Sequence, residues 1–290
     1  MRRASRDILK GGVAALLLSG FCASGWADSS TSSYWLLNPV PDDQMRDFST
    51  DRPGKTHSSN TVDAGHFQIE ADFINHTYDR YRTDGHFIHA TSFMAPLVKA
   101  GVSHDVDVEA LFMPLNIVHD KDLAANTTQT SRGFGDIWLG SKINLFGNDG
   151  GKQALAVLPF VKLPTAASGI GNGVAEYTLN IPYTLTLDET WSVTLEPGFG
   201  VFANRSDSNS HGDYNFAVNL NRPVFTKEVI AALEFYADHS GEHDIPNQYT
   251  LDPSLQWLVT PNLQLDIGMY IGLNRASPDL NPYTGISVRF

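Results

Sequence analysis

The chain has 290 residues, with 32 Asp or Glu against 20 Lys or Arg, for a formal net charge of -12. A chain this acidic is a poor nucleic-acid binder, because contacts to a phosphate backbone need basic clusters, and no nucleic-acid partner is expected. Cys22 is the only cysteine and 42% of residues are hydrophobic, so there is no disulfide framework, no thiolate metal site and no bulk sign of a membrane protein.

Arg2, Arg3, Arg6 and Lys10 precede the apolar run from Gly11 to Phe21, and Ala23 to Ala27 is rich in small residues. This pattern predicts a secretory signal peptide over residues 1–27, cut before Asp28 and taking Cys22 with it. The run falls short of the ~20 residues that a membrane helix needs. Residues 28–64 are polar and irregular, with a Ser/Thr run, Trp35-Leu36-Leu37, Pro39, Pro41 and the turn Asp51-Arg52-Pro53-Gly54. They read as a periplasmic leader that could plug the structure built by residues 65–290.

From Gly65 to the end, segments of alternating character succeed one another, separated by turn residues. Twelve are expected, near 65–75, 87–100, 105–118, 132–146, 152–164, 174–187, 191–204, 213–224, 228–239, 248–260, 262–273 and 282–290. The eleventh is the clearest: Leu263, Leu265, Ile267, Met269, Ile271 and Leu273 alternate with Gln264, Asp266, Gly268, Tyr270 and Gly272. A period of two with one greasy and one wet face is a strand between lipid and water. In the sixth, Tyr177, Leu179, Ile181, Tyr183, Leu185 and Leu187 form the greasy face; in the tenth, Leu251, Leu255, Trp257 and Val259. Tyr177, Trp191, Tyr249, Trp257 and Tyr283 fall near segment ends, where aromatic girdles lie.

Connections after even segments are short (101–105, 147–151, 188–190, 226–227, 261–262), and those after odd ones longer and polar (76–86, 119–131, 165–173, 205–212, 240–247, 274–281). Short periplasmic turns alternating with long outer loops are the habit of outer-membrane barrels. The fold expected is therefore all-β, a closed antiparallel transmembrane β-barrel of about twelve strands over 65–290. Closure is required because unpaired strand edges cannot stand in hydrocarbon. A final strand ending in aromatic Phe290 is the kind that barrel-assembly machinery takes up, and the surrounding partner is outer-membrane lipid.

The other face places Glu70, Asp72, Asp107, Glu109, Asp136, Lys142, Lys162, Glu176, Glu196, Glu234, Asp252 and Asp266 along the lumen, with Arg289 and the aromatics Tyr270, Phe160 and Trp138. Unpaired carboxylates are costly in a dry interior, so the lumen is wet or its charges are paired. A narrow passage for small solutes is the leading reading, favouring cations or neutral molecules over anions. A sealed structural or surface-interaction barrel is the alternative. A lipid-modifying enzyme ranks third: no Gly-x-Ser-x-Gly turn occurs, and His211 beside Ser210 is a loop coincidence, so no catalytic residue and no cofactor are expected. Asp238-His239-Ser240-Gly241-Glu242-His243-Asp244 offers His239 and His243 as a weak metal candidate, better read as a solvated loop.

Three stretches together resemble a known family. They are Phe48 to Gly54 followed by Gly65 to Glu70; Gly133-Phe-Gly-Asp-Ile-Trp-Leu-Gly-Ser-Lys142; and Ile271 to Gly285 running on to Phe290. The family is that described as Putative MetA-pathway of phenol degradation, and the resemblance spans about 48–290. It implies an outer-membrane, transporter-like barrel for hydrophobic or aromatic compounds, and it carries no substrate residues across. His57, Ser58 and Ser59 depart from the family's habit after the Asp-Arg-Pro turn.

Overall fold

In the computed structural model the described residues are 32–80, 85–205 and 207–290. The signal-peptide expectation lies outside them. Twelve antiparallel strands close on themselves. They are β1 (Phe67–Asp79), β2 (His86–Ser103), β3 (Val106–Leu111, resuming as Leu115–Asp122), β4 (Thr127–Gly133, resuming as Ile137–Phe146), β5 (Gln153–Leu163) and β6 (Glu176–Asn180, resuming as Tyr183–Thr186). Then come β7 (Ser192–Ala203), β8 (Ser210–Val224), β9 (Thr226–Ser240), β10 (Gln248–Thr260), β11 (Leu263–Gly272) and β12 (Leu280–Arg289). Each strand pairs with its sequence neighbours, and β1 pairs with β12 from Gln68↔Arg289 to Tyr78↔Leu280, so the sheet has no edge.

The barrel is inverted relative to a water-soluble protein. Lys99, Lys142, Gln68, Glu70, Glu234, Asp107 and Asp252 are among its most deeply buried large side chains. Phe73, Val108, Leu139, Tyr177, Leu179, Phe199, Phe216, Leu255, Trp257 and Ile267 are exposed. A continuous apolar outer surface of this extent is unfavourable in water and favourable in hydrocarbon. No helix among the described residues is long and apolar enough to cross a membrane. That says nothing against crossing by strands.

Three differences from the expected layout have local causes. The β3–β4 connection is only 123–126, because both strands run on as a hairpin through what read as loop 119–131. Short and long connections therefore do not alternate strictly: 147–152 on the opposite side is longer. Next, β3, β4 and β6 are each interrupted, at 112–114, 134–136 and 181–182, two of the gaps holding Pro114 and Pro182. Proline supplies no amide donor to the ladder. Lastly, Tyr283 is not in a girdle. It is buried in the lumen against Tyr270, with ring centroids 4.7 Å apart, because the phase of β12 turns 283, 285, 287 and 289 inward.

Inside the barrel lies the leader. Its first part, 34–45, folds against the base, where the Leu36 amide donates to the Val102 carbonyl and Val40 to Ala64. Residues 46–63 form a loop that enters the lumen and returns. Its two ends are joined by Arg46 and Asp63, 2.8 Å apart, and Arg289 reaches the same Asp63 at 3.1 Å. Gly101 in β2 is the point of closest approach: a Cβ there would overlap the Asp63 carbonyl oxygen. Gly101→Val is therefore expected to push 62–65 off the wall and cost about 1–3 kcal/mol, an overpacking penalty read as a lower melting temperature of the folded barrel.

Candidate functional site

The lumen carboxylates hold the leader. Glu70 accepts the Asp51 and Arg52 amides at 2.9 Å each. Glu234 accepts those of Lys55 and Thr56, also at 2.9 Å. Glu196 takes the His57 amide at 2.7 Å and its Nδ1 at 2.9 Å, while Asp107 takes the Val62 amide at 2.9 Å. A buried carboxylate that accepts two main-chain N–H groups is satisfied as a hydrogen-bond acceptor without a cation.

Leader side chains complete the arrangement. Asp51 binds the ammonium groups of Lys99 and Lys142, the latter at 2.6 Å. Arg52 spans Asp72 and Asp266, at 2.6 Å from each. Lys55 pairs with Asp252 at 3.0 Å and lies 4.0 Å from the Tyr270 ring centroid and 4.6 Å from that of Tyr236, a cation–π setting. Glu109 has Lys142 at the longer distance of 3.7 Å, with Lys99 also within its electrostatic reach. The twelve charged positions fall into two groups. Nine surround the leader. Asp136, Lys162 and Glu176 form a separate cluster toward the loop side, with Lys162 at 2.6 Å from Glu176 and 3.4 Å from Asp136. Loop 164–175 is tied down to it by the Ala166 amide on Asp136 and by Asn172 on Glu176.

Sequence reasoning missed Lys99 and the leader side chains as partners. Lys99 escaped because Ala95 and Leu97 share its face while Val98 and Ala100 occupy the other, so apolar residues lie on both sides of β2 and hide its phase. A charged turn, Asp51-Arg52-Pro53-Gly54-Lys55, facing an excess of lumen carboxylates was the available signal for the rest.

The turn at 51–57 divides the lumen. On the loop side is a cavity of about 390 Å³ with Glu70, Asp72 and Asn75 on one wall and Ala95, Leu97, Leu111 and Met113 on another, roofed by Tyr270. That apolar wall lies beside the gap in β3. On the base side a second cavity, about 250 Å³, is lined by hydroxyl and amide groups including Thr184, Thr194, Asn219, Gln256 and Gln264. Arg52, Pro53, Gly54 and His57 border both. The chambers are neighbours separated by four residues of chain.

At the base, His104 in the β2–β3 turn has Nδ1 at 2.6 Å from Asp105 and Nε2 at 2.9 Å from Asp149. Both ring nitrogens can donate only in the imidazolium form. The Asp105 hydrogen bond, opposed by partial burial, raises its pKa above the ordinary 6.5. Folding therefore takes up a proton, so this clasp contributes fully below about pH 6.5 and its contribution fades as pH rises through the raised value. With half-exposed carboxylates the contribution is below about 1 kcal/mol. The melting temperature of wild type should exceed that of His104→Gln at acid pH, and the gap should close on the alkaline side.

His239 bonds Asn247 at 2.6 Å and His243 is an exposed neighbour of Asp244. No group of three or more His, Cys, Asp or Glu able to hold a metal occurs among the described residues.

The family described as Putative MetA-pathway of phenol degradation matches residues 50–290. Among solved structures the chain is similar to an outer-membrane channel from Pseudomonas putida F1, at 14% identity and a TM-score of 0.62, covering 82% of this chain and 99% of that one. It is also similar to the transport unit of the autotransporter AIDA-I from Escherichia coli, at 8% identity and a TM-score of 0.49, covering 78% and 89%. The Ralstonia pickettii toluene transporter TbuX aligns at 9% identity and a TM-score of 0.40, covering 78% and 89%. The first of these likenesses supports the barrel fold. No curated protein matches.

Proposed function

Because the chain belongs to the family described as Putative MetA-pathway of phenol degradation, we propose that it is an outer-membrane channel for small hydrophobic or aromatic solutes. The carrying observation is the 390 Å³ cavity, which sets an apolar wall of Ala95, Leu97, Leu111 and Met113 opposite the polar leader turn. Its size is within the range of small-ligand pockets, about 300–1,000 Å³, and its mixture of apolar surface with a few polar groups is what such pockets use. The solute enters from the loop side, rests against that wall, and passes when the 51–57 turn shifts. An anion meets the carboxylates of Glu70 and Asp72 there, whereas a neutral ring does not incur that repulsion.

The reading is tested by uptake of a neutral aromatic probe into proteoliposomes, with the leader intact and with residues 28–60 removed. Failure of both to pass the probe or ions would leave the sealed structural barrel, which the paired states of Arg52, Lys55 and Asp51 favour.

A further inference from the structure

One part of the outer wall is unlike the rest. On β1 the lipid-facing side chains are apolar from Phe67 to Ile74, and on β3 from Val108 to Ile117. The next residues outward, still on the lipid-facing side, are His76 and Tyr78 on β1, Thr91 and His89 on β2, His119 and Lys121 on β3, and Arg132 and Thr130 on β4. The registers His76↔Thr91, Tyr78↔His89, His89↔His119, Ile117↔Arg132 and His119↔Thr130 put them in one cross-strand patch. Their outward direction follows from Asn75 and Ser92, which alternate with them and line the lumen cavity.

Against a chain of net charge -12, this patch is basic. Among the described residues Lys121 and Arg132 have no ion-pair or hydrogen-bond partner, and no carboxylate alternates with them on the lipid-facing side of these strands; Asp79, Asp120 and Asp122 belong to the opposite face. His76 Nδ1 bonds Thr91 at 2.8 Å and His119 Nδ1 bonds Thr130 at 2.8 Å, which fixes the rings. Tyr78 and Phe87 pack edge-on to His89 at 4.9 and 4.7 Å.

We propose that this wall is a docking surface for a phosphorylated lipid of the outer leaflet, with its phosphate held by Lys121, Arg132 and His119 and its acyl chains lying on Phe73, Ile74 and Leu115 below. The charge and the depth argue for that occupant. Lys121 follows His119 along one strand face and Arg132 lies diagonally across from it on the other side, each about 7 Å from His119, so the two long side chains, about 14 Å apart at their bases, reach inward toward a phosphate seated on His119. The patch begins one pair beyond the apolar belt, the level at which headgroup phosphates sit, where each basic residue contributes attraction to anionic lipid. The inference rests on the membrane location in the reading above but not on solute passage.

The test is binding of bisphosphorylated lipid A to the full-length protein in detergent, compared with the same lipid after dephosphorylation and with inorganic phosphate alone. Binding of the phosphorylated lipid only, weakened about tenfold by K121Q/R132Q and kept by K121R/R132K, is the expected result. Equal binding of the dephosphorylated lipid, equally tight binding of inorganic phosphate, or an unchanged affinity in folded K121Q/R132Q would overturn it. Heat-modifiable migration on gels reports that each variant is a folded barrel. Loss of aromatic uptake with lipid binding retained would count against the channel alone, and the reverse against this surface alone.

Discussion

Asp51→Asn is expected to release the leader from the lumen. The substitution keeps size and shape but removes the one negative charge that Lys99 and Lys142 share. Two buried ammonium groups are then left with Glu70 and the distant Glu109. Breaking a buried pair by removing one partner costs about 3–5 kcal/mol, and the barrel's own ladders are untouched, so the loss falls on leader docking. Limited proteolysis should cut within 46–63 in the variant and not in wild type, and aromatic uptake should rise. A leader as protected in Asp51→Asn as in wild type would show that main-chain bonds to Glu70, Glu196 and Glu234 suffice without the charge. Thr50→Val, which removes uncharged hydroxyl contacts to the Arg52 carbonyl and to Gln264 and leaves every ion pair in place, is the uncharged control.

Removing residues 28–60 has the second large effect expected. It takes away Arg46, Arg52, Lys55 and His57, leaving Glu70, Asp72, Asp107, Glu109, Glu196, Glu234, Asp252 and Asp266 facing Lys99, Lys142 and Arg289. Water must enter to solvate the orphaned carboxylates, since dry burial of so many like charges is prohibitive. The two cavities then join into one aqueous pore. Planar bilayers should show resolvable single-channel steps where wild type shows few, with a reversal potential displaced toward that of the cation, because rings of carboxylates select for cations. An anion-selective pore would contradict the inward placement of these groups.

The strand count, the closed architecture and the two faces were legible because a lipid-facing strand must alternate and has little freedom to do otherwise. Leu263 to Gly272 shows this without a break. The interruptions at Phe112, Phe134 and Ile181 were only partly legible: Pro114 and Pro182 signal two of them, but where a ladder actually breaks depends on what lies alongside. The partners of the inner charges were not legible, since which carboxylate meets which amide depends on where an irregular loop lies in three dimensions. Tyr283 shows the limit from the other side. An aromatic near a strand end satisfies the girdle pattern, and only the parity of β12, set by Arg289 and Ser287, sends it inward.

Four of the inner acids, at positions 70, 107, 196 and 234, grip the inserted loop by its peptide amides. Every amino acid but proline supplies that handle. Away from Asp51, Arg52 and Lys55, whose side chains are anchors in their own right, the inserted loop's fit is thus insensitive to spelling: relatives could exchange those other letters, altering what brushes against passing molecules, while the loop stays seated. The barrel interior is where drift should be punished, and the loop is where preference for cargo could be rewritten at small structural cost.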